Sequence, residues 1–326
     1  MNRPQLIVIT PVRNEAWVLE AFLTHCSSWA DHIIIADQHS TDGSREIASR
    51  FPKVTLIDNP GKEMNMSAVR LLLFQEVDRM DGDKIVFTLD ADEFLQNGFT
   101  KTEGWNTIIH STPNAVFCFR WLNLINDFLH VQPVQKSPYE WACHFAQNER
   151  LAELYHKVEN NIVHESRIPC TETANYINID DIQFVHLNGL NTARNKNKIA
   201  LYQIASILRG VNPISVYRTN HTVPKKHLVA NEIPLTDAKG NDLKHLVRTS
   251  DHGQHYIDEI VAILHRKGCK FFQTLCIWDN PDLRAAGINF KPPLHIQLLH
   301  KYLKTTQRHS NSFPIRIIDK LLKKIF

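Results

Sequence analysis

Short apolar runs alternate with amphipathic stretches through the first 95 residues. QLIVIT (5–10), HIIIAD (32–37), KVTLID (53–58) and KIVFTLD (84–90) are nearly continuous in apolar side chains, as strands buried on both faces are. Between them, residues 16–27, 43–50 and 65–80 carry helical patterns. This alternation predicts an α/β fold with a mostly parallel central sheet covered on both faces. Such sheets bind ligands beyond the carboxyl ends of their strands. The polar clusters 10–15, 37–43 and 90–93 fall at three of those ends.

The pattern changes beyond residue 115. AVFCFRWLNL (115–124) reads as a strand, and an irregular aromatic-rich run with Trp141, Phe145 and Tyr155 follows to about 165. IQFVHL (182–187) is a further strand and 192–208 a helix. Pro213 and the polar stretch YRTNHTVPKK mark a boundary. A helix is predicted over about 254–266, with further helical segments towards the end. The expected organisation is an α/β domain over 1–210, a mostly helical extension over 211–312 and a tail helix over 313–326. No internal repeat is visible.

Composition narrows the class. With 43% hydrophobic and 22% charged residues, wholesale disorder is excluded. No apolar run reaches the roughly 18 residues that cross a bilayer, and MNRPQLIVITPVRNE lacks a secretory pattern. The six cysteines form no CxxC, so a cytoplasmic, reducing setting is expected. Net charge is +3, yet the last 26 residues set seven Lys and Arg against Asp319 alone. A basic terminus on a mildly acidic body points to an anionic surface, not to nucleic acid. In FPIRIIDKLLKKIF, Ile315, Ile318, Leu321, Leu322, Ile325 and Phe326 share one helical side, and Arg316, Asp319, Lys320, Lys323 and Lys324 the other. Such a helix either docks on its own core or lies on the inner face of an anionic membrane.

The sharpest local chemistry is Leu89-Asp90-Ala91-Asp92-Glu93-Phe94. Three carboxylates in four positions repel one another unless a cation or a donor network neutralises them. In an extended segment Asp90 and Asp92 point the same way and share one divalent ion, Mn²⁺ or Mg²⁺, bridging to substrate phosphates. A solvated acidic loop is the plainer alternative. Asp37-Gln38-His39-Ser40-Thr41-Asp42-Gly43 is also good turn and capping chemistry. Thr10-Pro11-Val12-Arg13-Asn14-Glu15 opens a helix, and Arg70 sits on the helix before the acidic strand.

In order and spacing these pieces resemble the family 2 glycosyltransferases: P-x-x-N-E after strand one, D-x-x-S-T-D-G after strand two, an arginine on the third helix, L-D-A-D-E after strand four. Val163-His164-Glu165-Ser166, Phe184-Val185-His186-Leu187, then Arg194 and Lys198 extend the likeness to the lipopolysaccharide-core β-glucosyltransferase branch. The resemblance covers about 5–205. It implies a GT-A fold and a metal-dependent, inverting transfer from a nucleotide-diphosphate sugar to a glycan or glycolipid acceptor. By the same resemblance Thr10, Pro11 and Glu15 shape the nucleotide pocket, and Asp37 contacts base or ribose. Arg70, Asp90, Arg194 and Lys198 reach the donor, while Asp90, Asp92 and His186 hold the ion. Glu165 is the preferred base, with Glu93 second and Asp92 third. The usual tandem acid and glycine are replaced by Gln38 and His39, and Leu71 stands where an asparagine is common. The Q-x-x-R-W motif of processive synthases is absent. Two rivals remain open. A sugar nucleotidyltransferase usually has a glycine-rich loop after strand one, and TPVRNEAW has no glycine. A non-catalytic nucleotide-sugar-binding protein has no need of an intact acidic triplet.

Overall fold

A computed structural model describes residues 3–61, 65–132, 138–156, 167–169, 173–220, 228–229 and 231–326. Its strands are β1 (Gln5–Val12), β2 (His32–Asp37), β3 (Val54–Asp58), β4 (Lys84–Thr88), β5 (Glu93–Leu95), β6 (Ala115–Ile125), β7 (Asp127–Val131), β8 (Tyr139–Phe145), β9 (Asn175–Gly189) and β10 (Leu228–Val229). The α-helices are α1 (Leu19–Ser27), α2 (Ser44–Ala48), α3 (Met66–Val77), α4 (Glu103–Ile109), α5 (Leu151–His156), α6 (Thr192–Leu208), α7 (Pro213–Asn220), α8 (Gln254–Lys267), α9 (Pro281–Ala285), α10 (Leu294–Thr306) and α11 (Phe313–Leu322).

The chain forms two compact units. Unit 1 comprises 1–190 and 228–249, and unit 2 comprises 191–227 and 250–326. The boundary expected at 210 falls inside unit 2, because α6 packs with α8 through Ala200, Leu201, Ile204, Ile257 and Ile260.

Unit 1 is built on one curled sheet. Its first half runs β3-β2-β1-β4, all parallel, with β1 flanked by β2 and β4. That is the switch point at which a doubly wound sheet opens a crevice. Beyond β4 the sheet turns antiparallel through β8, β6 and β7. The aromatic run that looked irregular is therefore β8, in mid-sheet, with Trp141 to Phe145 all buried. Both its faces are covered, so no polar alternation marks it as a strand. The β9 strand pairs parallel with β6 and antiparallel with β5, and its register sets His186 opposite both Glu93 and Asn123. One face of the sheet packs against α1 around Phe22 and Trp29, the other against α3 around Leu73 and Phe74. Asn65 caps α3 by accepting Ala68 N–H at 3.1 Å. His25, on α1, is fully buried, with Nδ1 2.8 Å from Thr236 O and Nε2 accepting Leu95 N–H at 3.2 Å. Burial lowers its pKa to about 4, so it is held neutral.

Unit 2 is helical. Arg218 on α7 donates to both Asp319 carboxylate oxygens, at 2.8 and 3.0 Å, and Tyr302 OH donates to the same group at 2.8 Å. This pair sets the rotation of α11. Asp319 faces inward with Ile315, Leu322 and Phe326 half-buried beside it, while Ile317, Ile318, Leu321 and Ile325 lie exposed. The expected division of α11 into an apolar and a charged side is thus corrected: an aspartate anchors it and part of the apolar side faces outward. Among the described residues no helix is long and apolar enough to cross a membrane.

Candidate active site

The loops after β1 and β2 clasp each other. Asn14 N–H donates to Ser40 Oγ (2.9 Å), Thr41 N–H to Asn14 Oδ1 (2.7 Å), Glu15 N–H to Ser44 Oγ (3.0 Å) and Ala16 N–H to Asp42 Oδ2 (2.9 Å). Asn14 and His39 adopt left-handed φ values of 55° and 52°, a region that asparagine and histidine enter more readily than most side chains. Thr10 is buried beneath the clasp, Pro11 is half-buried, and Glu15 accepts Trp17 Nε1–H at 2.5 Å.

Asp37 ends β2 and is 1% exposed. Its Oδ2 accepts Arg45 Nη1–H at 2.8 Å and Ser40 N–H at 3.2 Å, but its buried Oδ1 accepts nothing. Asn59, just past β3, donates its backbone N–H to Asp37 O at 2.9 Å. Its Oδ1 takes Gly61 N–H, and its buried Nδ2, like Asp37 Oδ1, finds no partner among the described residues. An unspent acceptor and an unspent donor therefore stand at neighbouring strand ends. A buried polar atom without a partner costs about 1–3 kcal/mol, which a ligand group can recover.

The acid cluster is a turn, not the extended segment expected from the sequence. Glu93 N–H donates to Asp90 O at 3.0 Å, and Asp90 N–H to Glu93 Oε2 at 2.9 Å. Glu93 is wholly buried. Arg167 grips it with Nη1 to Oε2 at 2.6 Å and Nη2 to Oε1 at 2.9 Å, and also reaches Asp90 Oδ2 at 3.0 Å. The indole N–H groups of Trp121 and Trp141 donate to the same carboxylate at 3.2 and 3.1 Å. Both rings lie under the guanidinium, at 5.7 and 5.4 Å. Burial pushes the Glu93 carboxyl above its usual range, and the charge of Arg167 opposes that shift. This corrects the place given to Glu93: enclosed by four donor groups, it has no open lone pair for an acceptor proton. Arg167 was missed, although it directly follows Val163-His164-Glu165-Ser166 and the acid triplet demanded a cation.

His186 completes the group. Its Nδ1 is 2.7 Å from Asn123 Oδ1, which leaves Nε2 facing Asp92 Oδ1 at 3.5 Å, and its ring stacks on Trp121. Burial works against its charged form, but Asp92, then Glu93 and Asp90, outweigh it and raise the pKa. Among the described residues no three His, Cys, Asp or Glu side chains lie together as an ion site. Asp90, Asp92 and His186 therefore do not make the all-protein cage that three ligands would. They fit an ion differently. The Asp90 side chain is 39% exposed with only Oδ2 on Arg167, and Asp92 lies next along the turn. Magnesium and manganese commonly take one or two carboxylates and complete their shell with substrate phosphates.

The other expected residues lie on α3, on α6 or outside the described stretches. Arg70 is half-buried on α3. Glu165 lies outside the described residues. Arg194 and Lys198 belong to unit 2. There Arg194 is buried on α6, its guanidinium 5.1 Å from the Tyr256 ring and 3.6 Å from Asp251, and Lys198 lies 6.0 Å from the Tyr202 ring.

Comparison with curated proteins finds no match. Among solved structures, the chain is similar to HddC from Yersinia pseudotuberculosis, at 10% identity, TM-score 0.33, over 56% of this chain and 93% of that one. It is similar to the inositol-1-phosphate CTP transferase of T. maritima at 5% identity, TM-score 0.38, over 57% and 91%. Glucosyl-3-phosphoglycerate synthase from Mycobacterium tuberculosis, in complex with Mn²⁺, UDP and its product, aligns at 14% identity, TM-score 0.36, over 68% and 82%. The stretch that carries the clasp, Asp37, Asn59 and the acid turn, residues 7–161, matches Glycosyl transferase family 2, which supports the family resemblance drawn from the sequence motifs.

Proposed function

We propose that the protein transfers a sugar, with inversion, from a nucleotide-diphosphate donor to a hydroxyl of a cell-envelope glycan or lipid-linked acceptor, in the manner of the lipopolysaccharide-core β-glucosyltransferases. The observation that carries the donor reading is the unspent pair Asp37 Oδ1 and Asn59 Nδ2 at the carboxyl ends of β2 and β3, beside the β1 switch point. An acceptor beside a donor matches a base edge with a ring N–H next to a carbonyl oxygen, as in uracil, thymine or guanine. Adenine and cytosine meet the same pair with an amino N–H beside a ring nitrogen, so the pair calls for a base edge without choosing among the bases. Thr10, Pro11 and Glu15 would wall the nucleotide, and Arg70 would face its phosphates.

Transfer needs the leaving diphosphate neutralised and the acceptor hydroxyl deprotonated. An ion held by Asp90 and Asp92 would supply positive charge at the diphosphate when bound. The network of Arg167, Trp121 and Trp141 fixes the turn from which those acids project, and Asn123 orients His186 towards Asp92. Glu165 is the proposed base. The α11 helix, with exposed apolar side chains between its inward face and Arg316, Lys320, Lys323 and Lys324, suits contact with an anionic membrane presenting the acceptor at its cytoplasmic face.

The test incubates the chain with Mn²⁺, candidate glycolipid acceptors and UDP-, TDP-, GDP-, CDP- and ADP-sugars. Release of nucleoside diphosphate from at least one of these donors, lost in Asp92→Ala, is expected. Pyrophosphate release with a nucleoside triphosphate and sugar phosphate would instead assign a nucleotidyltransferase.

A further inference from the structure

A second cleft, of about 730 Å³, lies wholly within unit 2. Its volume is in the range that encloses a small organic ligand. One wall is aromatic: Trp278 and Phe290 pack with ring centroids 4.5 Å apart. Trp278 spends its Nε1–H on Gln273 O at 3.3 Å, which fixes the indole plane. Lys291 and α10 supply much of the rest of the lining.

Charge in this cleft is one-sided. Arg284, Lys291, Lys301 and Lys304 line it against a single carboxylate, Asp279. Lys304 is matched by Asp279 at 2.7 Å, and that contact helps hold the Asp279 carboxyl low against the effect of its burial. The Lys291 and Lys301 side chains make no hydrogen bond or ion pair among the described residues, and the Arg284 guanidinium makes a long 3.4 Å contact with Trp278 O and a weak electrostatic one with Asp279. His300 adds no charge near neutrality, because burial lowers its pKa. Two lysines with unspent ammonium groups and the loosely engaged Arg284, around an apolar-walled recess, concentrate positive potential there. The arrangement is relieved when an anion settles among them. Lysine and arginine together favour a phosphate group, and an aromatic wall favours the C–H face of a saccharide-sized body.

We propose that this cleft binds a phosphomonoester carried on a saccharide-sized body, whether free in solution or displayed on a lipid headgroup. Arg284, Lys291 and Lys301 hold the phosphate and Trp278 packs against the body. The proposal rests on unit 2 alone and stands apart from sugar transfer at Asp37 and Asp92.

Glucose 6-phosphate, glucose and inorganic phosphate serve as probes for calorimetric titration of the full chain at low salt. Saturable binding of glucose 6-phosphate, absent for glucose, is expected. It should weaken at least 10-fold in the Lys291→Ala/Lys301→Ala double variant, whose exposed substitutions leave the melting temperature unchanged. Trp278→Leu should reduce glucose 6-phosphate binding towards that of inorganic phosphate. Asp37→Asn should leave it intact, separating this site from the donor pocket. In a second arm, phosphatidylcholine vesicles with or without phosphatidylinositol 4-phosphate, a phosphomonoester on a ring headgroup, compete with the sugar phosphate. Displacement only by the vesicles that carry it assigns the lipid source, and no displacement assigns the soluble one. The proposal is overturned if neither glucose 6-phosphate nor phosphatidylinositol 4-phosphate binds, or if whichever binds does so equally well in the double lysine variant.

Discussion

Two buried carboxylates stand at the margin of the same sheet, and their surroundings treat them in opposite ways. Glu93 receives two N–H groups from Arg167, one each from Trp121 and Trp141, and the backbone N–H of Asp90. Asp37 receives Arg45 and Ser40 on one oxygen and nothing on the other. A carboxylate whose lone pairs are all taken has nothing left to offer a ligand, and its charge serves the fold. One with a buried oxygen left over stores an interaction that only an incoming group can make. The difference separates architecture from recognition within one crevice.

The largest expected effect comes from breaking the filled side. Arg167→Ala leaves Glu93 buried without its cation and Asp90 without a partner. Removing one member of a buried ion pair costs roughly 3–5 kcal/mol, read as a lowered urea midpoint. Arg167→Lys should recover only part of this, since an ammonium cannot grip both oxygens in a fork. A stability loss below about 1 kcal/mol for Arg167→Ala would mean that the pair is not enclosed as described.

A second closed group, His25, sharpens the same side through pH. Unfolded, it takes up a proton near 6.5, whereas in the folded chain the pKa is about 4. Between those values the unfolded state binds the extra proton, so stability falls as pH falls. The loss should approach about 3 kcal/mol by pH 4. His25→Gln lacks this titration, so its stability gap from the parent should shrink steadily from pH 6.5 to 4. A gap that stays constant would show that His25 is protonated in the fold.

The half-filled side responds differently. Asp37→Asn keeps the shape but removes the charge and can turn a donor towards the ligand. Nucleotide affinity should fall about 10- to 100-fold, worth about 1.4–2.8 kcal/mol. The unfolding midpoint should hardly move, because Arg45 is 39% exposed and keeps Asp58 as a partner. Equal losses of affinity and stability would place Asp37 with Glu93.

Much of this layout was legible in the chain, and the gaps have physical causes. The strands β1 to β4 announce themselves because each is a short apolar run, and the polar clusters after β1, β2 and β4 stand at carboxyl ends along the same sheet margin. Asp37 stood out as the last residue of HIIIAD. Other features depended on pairing across distance. The Trp121 and Trp141 rings lie on β6 and β8, two strands that are neighbours only in the folded sheet, so their shared hold on Glu93 left no local trace. The acid triplet did signal that a cation was needed, but a metal ion and a distant guanidinium satisfy that demand equally on paper. Asn59 gave no signal, since one asparagine after a strand reads as a turn residue. Its meaning comes from Gly61 taking its oxygen and leaving the amide unspent.

The smallest expected effect tests what keeps the half-filled side rigid while it waits. Asp37 can hold an oxygen in reserve only if the loop above it does not collapse to fill the gap, and the clasp between the β1 and β2 loops prevents that. Ser40 is its hinge: the hydroxyl accepts Asn14 N–H at 2.9 Å, while its own N–H donates to Asp37 Oδ2 at 3.2 Å. Ser40→Ala removes the first bond and spares the second, at a cost of about 1 kcal/mol in stability. Asn14, held at φ 55°, would then relax towards a more common conformation. Nucleotide affinity should drop about 3- to 5-fold, less than for Asp37→Asn, because the acceptor survives while its position loosens. Ser40→Thr, which keeps the hydroxyl, should restore both quantities. Failure of threonine to rescue would show that bulk in this loop matters more than the bond, and would move the source of rigidity to Asp42 and its contacts with Ala16 and Ser44.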